Sequence, residues 1–342
     1  MLRRCGFAFA FLLAVACSSG SGPQATPSPT LEPAQQTVQP TATAAGAPGT
    51  TVRVGGKPWG IAFDADSGRL YTANEAENTV SVVDAGSLEV LATLTAGTGP
   101  AAVAVNPVSK RVYVANAFSD DVTVIDAIAN RVLARIPVGL KPWEVVVDAE
   151  ANRVYVANPN SDEISVIDGE KNEVVGTLFG GEEPFGLALL PGAGVLYVAS
   201  GRGGTVNAVD LGSGEIANTV PVGGRPRGLA IDASEMMLYV ANSESASVSI
   251  VNLETHQVIA TVPVGLVPRA VAVASSAGRA YVVNSYEDTL SVIDTATRKV
   301  VATVAAGSRP WDVAATGDGA EVFVADAGTS EIRVLEAEAL SP

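Results

Sequence analysis

Residues 153–168 read RVYVANPNSDEISVID, two short β-like runs on either side of a polar turn. Almost the same phrase stands at 111–126, as RVYVANAFSDDVTVID, and again at 69–84, as RLYTANEAENTVSVVD. Valine, isoleucine and tyrosine dominate the runs, while asparagine, aspartate, serine and proline dominate the turns, which is typical of β-hairpins. A phrase that recurs at a fixed spacing indicates an internal repeat.

The repeat has a period of 42 residues, and no unit carries an insertion or a deletion. Each unit has a proline, a glycine and an aromatic residue in the same places. The prolines are Pro58, Pro100, Pro142, Pro184, Pro226, Pro268 and Pro310. Each unit also contains four β-like runs without helical periodicity, and a four-stranded repeat of about 40–45 residues is typical of a propeller blade. The sequence therefore predicts an all-β fold, a seven-bladed β-propeller with four-stranded blades.

The seventh unit lacks its fourth strand, because the chain reaches Pro342 where that strand would begin. At the other end of the repeats, TVRVG at 51–55 matches TVPVG at 261–265 after five periods. We expect this N-terminal strand to complete the last blade. It would then cover two sheet edges that would otherwise be free to aggregate.

Most of the repeated residues are predicted to be structural. The asparagine of the YVAN phrase and the aspartate of the VID phrase stand at strand ends, where short side chains accept hydrogen bonds from turn amides. The repeated glycine is expected to supply a backbone conformation that only glycine adopts at low cost.

The repeat resembles the YVTN-type β-propeller repeat. The resemblance rests on the phrase G-x-x-P-x-x-V-A-V, then R-V-Y-V-A-N, V-S-V-I-D and V-x-A-T-x-P-V-G, and it covers residues 51–336. Ser200 and Asp326 depart from the asparagine of YVAN, and Asn252 and Glu336 depart from the aspartate of VID. The resemblance implies relatives among surface-layer proteins, periplasmic propellers and propeller domains attached to redox enzymes. A fold of this kind does not fix the function.

The N-terminal segment has the features of an export signal. MLRRCGFAFAFLLAVAC combines two arginines with an apolar run too short to span a bilayer. Residues 13–17, LAVAC, resemble a bacterial lipobox, although Ala14 stands where that pattern prefers leucine. We therefore expect a signal peptide over 1–16, acylation of Cys17, and a lipid anchor in the bacterial cell envelope, on its periplasmic or extracellular face. The alternative is an ordinary signal peptide with a chance cysteine.

The rest of the chain is predicted to have two parts. Residues 17–49 hold the lipidated cysteine and a tether rich in proline, threonine and serine, which we expect to be disordered because it has too little apolar surface to bury. The propeller occupies 50–342. The chain has two cysteines, Cys5 and Cys17, so the propeller has no disulfide, thiol nucleophile or cysteine metal ligand.

Composition argues against several classes of function. The formal net charge is −15, and it would fall to −17 without the two arginines of the signal peptide, which opposes binding to nucleic acid. The single histidine, His256, is expected in an exposed turn between the third and fourth strands of blade five. It offers neither a histidine triad nor a multi-histidine metal site. We therefore predict no catalytic residues, no metal site and no cofactor, and we expect a monomer.

One repeat position concentrates the large and the cationic side chains. All three tryptophans directly follow the repeating proline, and a phenylalanine and two arginines share that position in other units. In propellers of this kind the G-x-x-P segment links the outermost strand of one blade to the innermost strand of the next, so these side chains would ring the mouth of the central channel. With an arginine that precedes its proline, the predicted binding residues are Trp59, Trp143, Phe185, Arg227, Arg269, Arg309 and Trp311.

Such a mouth suits an anionic or planar ligand. The alternative is that the rings only pack across blade junctions. The neighbouring acids could also simply neutralise the cations; they are Glu144, Glu182, Glu183 and Asp312.

We interpret the protein as a membrane-tethered extracytoplasmic propeller that binds a small ligand or an envelope protein without catalysing a reaction. The resemblance leaves enzymatic alternatives open, namely a lactonase-like, quinoprotein-like or haem-dehydrogenase-like propeller, or an accessory subunit of a redox complex. A lactonase could use arginine and glutamate at the mouth. A haem enzyme would need an axial ligand, and His256 is expected on the other set of loops.

Overall fold

The strands of the computed structural model form seven separate sheets, each with four antiparallel strands. The structure describes residues 49–190 and 192–340, all of which belong to the compact unit Thr41–Pro342. The sheets confirm the predicted seven-bladed propeller with four-stranded blades. The predicted signal peptide, Cys17 and the tether lie outside the described residues, apart from Gly49 at the end of the tether.

Each of the first three blades corresponds to one repeat unit. Blade one contains β2 (Pro58–Asp64), β3 (Arg69–Asn74), β4 (Thr79–Asp84) and β5 (Val90–Thr95). Blade two contains β6 (Pro100–Asn106), β7 (Arg111–Asn116), β8 (Asp121–Asp126) and β9 (Arg131–Pro137). Blade three contains β10 (Glu144–Asp148), β11 (Arg153–Asn158), β12 (Glu163–Asp168) and β13 (Glu173–Leu178).

The next three blades repeat the same order. Blade four contains β14 (Pro184–Leu190), β15 (Val195–Ser200), β16 (Thr205–Asp210) and β17 (Ile216–Pro221). Blade five contains β18 (Pro226–Asp232), β19 (Met237–Asn242), β20 (Ser247–Asn252) and β21 (Gln257–Pro263). Blade six contains β22 (Pro268–Ala274), β23 (Arg279–Asn284), β24 (Thr289–Asp294) and β25 (Lys299–Ala305), with a 3-10 helix at Ser275–Ala277.

Blade seven joins the two ends of the described chain. It contains β26 (Pro310–Ala315), β27 (Glu321–Asp326), β28 (Glu331–Glu336) and, on its outer edge, β1 (Thr50–Arg53), and a 3-10 helix follows at Ala337–Leu340. Strand β1 runs antiparallel to β28, from the Thr50–Val334 pair to the Arg53–Glu331 pair. The predicted closure of the last blade by the N-terminal strand is confirmed.

The first strand of every blade lies beside the first strand of the next, so these seven strands line the central channel. The hydrophobic core lies between adjacent blades. Tyr71 of blade one, for example, is fully buried in a cluster with Val103, Val112 and Ile125 of blade two. Full burial of one such side chain contributes about 1.5–3 kcal/mol, which is why an aromatic residue recurs at this position. Within residues 49–190 and 192–340, no helix has the length and apolarity needed to cross a membrane.

The asparagine of the YVAN phrase is buried and bonds to the third strand of its own blade. The side-chain amide of Asn74 donates to Ser81 Oγ at 3.0 Å, and that of Asn242 donates to Ser249 Oγ at 2.9 Å. The prediction that these asparagines accept hydrogen bonds from turn amides was wrong for most of them. It holds for the aspartate of VID: Asp168 Oδ1 accepts the backbone N–H groups of Glu170 at 3.0 Å and Lys171 at 3.1 Å.

The repeated glycine is needed mainly for close approach to that asparagine. A Cβ added at Gly223 would lie 2.6 Å from Cγ of Asn242, closer than real side chains come. Among the seven repeated glycines, left-handed φ values occur only at Gly181 (109°) and Gly307 (104°). In these two units the YVAN phrase ends in serine or aspartate instead of asparagine. The prediction that glycine supplies a special conformation therefore holds in two blades and was wrong in the other five.

Candidate functional site

A β-bulge at the start of the innermost strand sets the direction of the mouth residues. In blade one, Pro58 pairs with Asn74 and Gly60 pairs with Ala73, so Trp59 is the extra residue between two paired positions. The register shifts at the same place in blades two, four, five, six and seven. A bulge re-aims a side chain locally and is common beside functional sites. In these six blades the residue after the proline is thereby turned toward the channel.

Four aromatic residues from four blades form one continuous stack at the mouth. Trp59 and Trp311 lie face to face, with ring centroids 4.6 Å apart and planes 5° from parallel. Trp143 lies beside both, at 5.7 Å from Trp59 and 6.4 Å from Trp311. Phe185 contacts Trp143 edge-on at 5.8 Å. Stacked and edge-on pairs are the favourable arrangements of aromatic rings, so the rings do pack across blade junctions.

An arginine ends this stack on each side. The guanidinium of Arg227 lies 4.2 Å from the Phe185 centroid, and that of Arg269 lies 3.7 Å from the Trp311 centroid. Both are cation–π distances. Arg227 and Arg269 belong to the neighbouring blades five and six, so the two ends of the stack meet there and the ring of side chains closes.

The two arginines are cations without an acidic partner. In the part of the chain that the structure describes, neither guanidinium has a carboxylate within 4.0 Å, and Nε of Arg269 is buried without a hydrogen bond. Burial, followed by repulsion from the charge of Arg227, lowers the pKa of Arg269 to about 10. Burial, followed by the charge of Arg225, lowers the pKa of Arg227 to about 10, against the opposing charges of Glu183 and Glu244. The mouth therefore holds two guanidinium groups that have no direct ion pair among the described residues, although the carboxyl groups of Glu144 and Asp312 border the same cavity.

The last of the predicted binding residues, Arg309, lies at the rim of the mouth. Its side chain is exposed, and with Tyr286 and Arg269 it borders a groove between blades six and seven. Two of the acids expected to neutralise the cations form ion pairs elsewhere. Glu183 pairs with Arg225 at 3.3 Å and Glu182 pairs with Arg202, and neither arginine is among the predicted binding residues.

Two further acids, Glu144 and Asp312, enter the channel. Each directly follows a tryptophan of the stack, at a position that is glycine or alanine in the other five blades. Small residues are needed there because the inner strands approach closely: a Cβ added at Gly60 would lie 2.8 Å from the carbonyl oxygen of Ala101. Five small residues thus leave room for two carboxyl groups. This pattern of small and acidic residues was readable in the sequence, but the interpretation above treated both acids as neighbours of the cations and gave glutamate a function only in the lactonase alternative.

The channel shifts the proton equilibria of both acids. Burial, with a further contribution from the charge of Asp312, raises the pKa of Glu144 to about 8, although the backbone N–H of Val145 donates to Oε1 at 3.1 Å. Burial raises the pKa of Asp312 to about 6, against the opposing hydrogen bonds from Ile61 and Val313. Both side chains keep some exposure to water because they line the channel, but the narrow channel strips most of their hydration. At pH 7, Glu144 is mainly protonated and Asp312 mainly ionised.

The space between these side chains is small. A cavity of about 50 Å³ is bordered by Trp59, Trp143, Glu144, Arg227, Arg269 and Asp312, among others. One water molecule takes about 30 Å³ of liquid volume, so the cavity accepts a small ion or one or two waters. A ring-sized ligand must therefore displace a side chain of the stack or bind at the rim.

The other candidate chemistry lies away from the mouth. His256 lies between β20 and β21, in a turn at the opposite end of the blade from the G-x-x-P segment, as expected, but it is half-buried rather than exposed. Among residues 49–190 and 192–340, no three histidine, cysteine, aspartate or glutamate side chains are grouped so as to hold a metal ion.

Comparisons with known proteins agree with the fold. The family model described as "Lactonase, 7-bladed beta-propeller" matches residues 34–178, which is less than half of the chain. The solved structure titled Kuenenia stuttgartiensis Hydrazine Synthase is similar with a TM-score of 0.76, covering 85% of this chain and 98% of that chain at 20% sequence identity. At this identity the likeness shows the fold alone. No curated protein sequence matches the chain.

Proposed function

We propose that the protein is a binding module whose channel mouth captures an anionic ligand. The observation that carries the proposal is the pair Arg227 and Arg269, two partly buried guanidinium groups without a carboxylate partner among the described residues. A cation that has lost part of its hydration and has no counterion is unfavourable. A ligand that brings negative charge between the two arginines relieves both the desolvation and their mutual repulsion.

The charge distribution of the chain supports selective rather than general binding of anions. The formal net charge is −15, so most of the surface repels anions, while the mouth presents two guanidinium groups without a direct ion pair among the described residues. Guanidinium groups form paired, charge-assisted hydrogen bonds with planar anions such as carboxylates. An anion is therefore bound through specific geometry at the mouth. The ligand is a small molecule or an acidic group of an envelope protein.

We also propose that this module works at the bacterial cell envelope. The lipobox-like segment that ends in Cys17 supports acylation, and the proline- and threonine-rich segment after it would separate the propeller from the membrane. A lipid anchor would hold the mouth within reach of ligands or partners at one membrane face.

Intrinsic tryptophan fluorescence tests the binding proposal, because all three tryptophans lie in the stack. A screen of anionic sugars, lactones, peptides and cofactors should give at least one compound that changes the emission. The double variant Arg227→Ala/Arg269→Ala should weaken that binding by at least tenfold, whereas Arg131→Ala, at an exposed arginine on the outer strand β9, should leave it unchanged. A compound whose affinity survives the loss of both mouth arginines contradicts the proposal.

A hydrolytic activity is the second candidate function. The match of residues 34–178 to a lactonase family model favours it, and Glu144, with a pKa of about 8, is a protonated acid at neutral pH beside two arginines. Once a lactone displaced a side chain of the stack, Glu144 could donate a proton to the leaving oxygen, and the arginines could stabilise the charge that develops on the carbonyl oxygen when water attacks the ester. Turnover of a lactone that is lost in Glu144→Gln and retained in Glu183→Gln would establish this function. If no compound of a broad lactone panel is hydrolysed, this second candidate function is rejected and the binding function is retained.

A further inference from the structure

A groove at the rim of the mouth offers the space that the centre lacks. It lies between blades six and seven, has a volume of about 330 Å³, and is bordered by Val267, Arg269, Ser285, Tyr286, Arg309 and Trp311. Pockets of about 300–1,000 Å³ are typical of small-molecule sites. The central cavity, by contrast, holds about 50 Å³. A ligand with a ring therefore fits the groove and not the centre.

Two guanidinium groups border this groove. Arg269 also lines the central cavity, so it connects the groove to the pair of unneutralised arginines at the mouth. The backbone of Arg309 is fixed because its N–H donates to Asp288 Oδ1 at 2.7 Å, while its exposed side chain has no ion pair within the described part of the chain. An acidic group in the groove therefore lies beside two cations.

The groove also has one free aromatic face. The indole of Trp311 lies between Trp59, stacked at 4.6 Å, and the guanidinium of Arg269 at 3.7 Å, so both of its faces are covered. Tyr286 has 76% of its surface exposed and makes no ring contact within residues 49–190 and 192–340. Ser285, beside it, uses its hydroxyl group to donate to the carbonyl oxygen of Pro310, which holds this turn against blade seven. Tyr286 is therefore an exposed ring on an anchored turn.

We infer that this groove binds the ring of an aromatic carboxylate, with the ring on Tyr286 and the carboxylate between Arg269 and Arg309. This inference rests on the proposed function and names the class of ligand. Stacking needs a flat ring on an open aromatic face, and a planar carboxylate matches the fork of a guanidinium. A neutral aromatic compound would contact only Tyr286, and a saturated acid would contact only the two arginines.

Isothermal titration calorimetry with the full-length protein tests this. The probes are 2-naphthoate, the neutral 2-naphthalenemethanol, the saturated cyclohexanecarboxylate and inorganic phosphate. We expect 2-naphthoate to bind at least tenfold more tightly than either matched probe. Tyr286→Ala should weaken it roughly three- to tenfold, the range of one aromatic contact, and Arg309→Ala should weaken it by a similar factor. Tyr286→Phe should retain the affinity.

Phe118→Ala is the control, since Phe118 occupies the same repeat position in blade two and is 54% exposed; it contacts Trp59 edge-on at 6.3 Å but does not border the groove. Its binding of 2-naphthoate should equal that of the wild type. If 2-naphthoate binds no better than cyclohexanecarboxylate, or if Tyr286→Ala leaves it unchanged, the groove inference is overturned. Phosphate binding that depends on Arg227, which does not border the groove, would in that case still support the proposed function. If no anion binds at all, both the inference and the proposed function fail.

Discussion

Trp59 of blade one stacks on Trp311 of blade seven, with ring centroids 4.6 Å apart and planes within 5° of parallel. This contact joins the first and last blades at the channel. At the outer edge of blade seven, β1 pairs with β28 along four residues. The ring of blades is thus closed both at the channel and at the outer edge. The contact at the channel also lies at the centre of the candidate binding site.

Removal of β1 should destabilise the propeller strongly. Residues 18–47 are predicted from their composition to be disordered, so deleting them should leave the melting temperature nearly unchanged. Extending the deletion through Gly55 removes β1 and exposes an edge of β28, so the melting temperature should fall by many degrees and aggregation should increase. Differential scanning calorimetry compares the two truncations. Equal melting temperatures would show that β1 does not contribute to closure.

The close approach of the repeated glycine to its asparagine predicts a specific cost of a methyl group. Gly223→Ala should lower the free energy of unfolding by about 1–3 kcal/mol, the usual range for overpacking, because the new Cβ would lie 2.6 Å from Asn242 Cγ. Gly176→Ala is the control, since no atom lies within 4 Å of a Cβ added there. Urea denaturation should show the control to be neutral or slightly stabilising. A similar loss in both variants would rule out the asparagine contact as the reason for this glycine.

The raised pKa of Glu144 predicts how stability depends on pH. Between pH 4.5, the ordinary value, and about pH 8, the folded state holds this proton more often than the unfolded state. Stability from this group is fully present below pH 4.5 and is lost as the pH rises through about 8. Glu144→Gln should therefore flatten the decline of the melting temperature between pH 5 and pH 8. Glu183→Gln, at a rim ion pair, should keep the wild-type slope of melting temperature against pH. If the curves of all three proteins are parallel, the raised pKa of Glu144 is refuted.

The proposed lipid anchor predicts a change of cellular fraction. Cys17→Ser should move the protein from the membrane fraction to the soluble fraction of the envelope, because a serine at that position cannot be acylated through sulfur. Mass spectrometry of the wild-type protein should find a lipid-modified N-terminus at Cys17. An unmodified N-terminus that begins after Ala16, or at another residue, would refute the anchor.

The sequence predicts the fold well because every blade has the same pattern of strand and turn residues. Pro58 and its six counterparts fix the spacing, and TVRVG identifies the strand that completes blade seven. The sequence also brings the tryptophans and two arginines to one mouth, since a single repeat position places them there. The functions of Asn74 and its glycine could not be read in this way, because a buried hydrogen bond to Ser81 and a close approach depend on how strands pack.

The ionisation of the site was equally out of reach of the sequence. Glu144 looks like an ordinary surface acid until the width of the channel is known, and that width determines how much hydration it loses. The sequence also does not identify Tyr286 as a binding residue, because its turn occurs in every repeat unit. Its free ring matters only because both faces of Trp311 are covered, and that depends on the packing of the mouth.

Anomalous diffraction from crystals soaked in selenate tests the central claim most directly, since it locates an anion without a choice of biological ligand. The account predicts a selenium peak at the channel mouth, with selenate oxygens within hydrogen-bond distance of both Arg227 and Arg269, and its loss in crystals of Arg227→Ala/Arg269→Ala. Selenium peaks beside solvent-facing arginines such as Arg131, with none at the mouth of the wild-type protein, would contradict it.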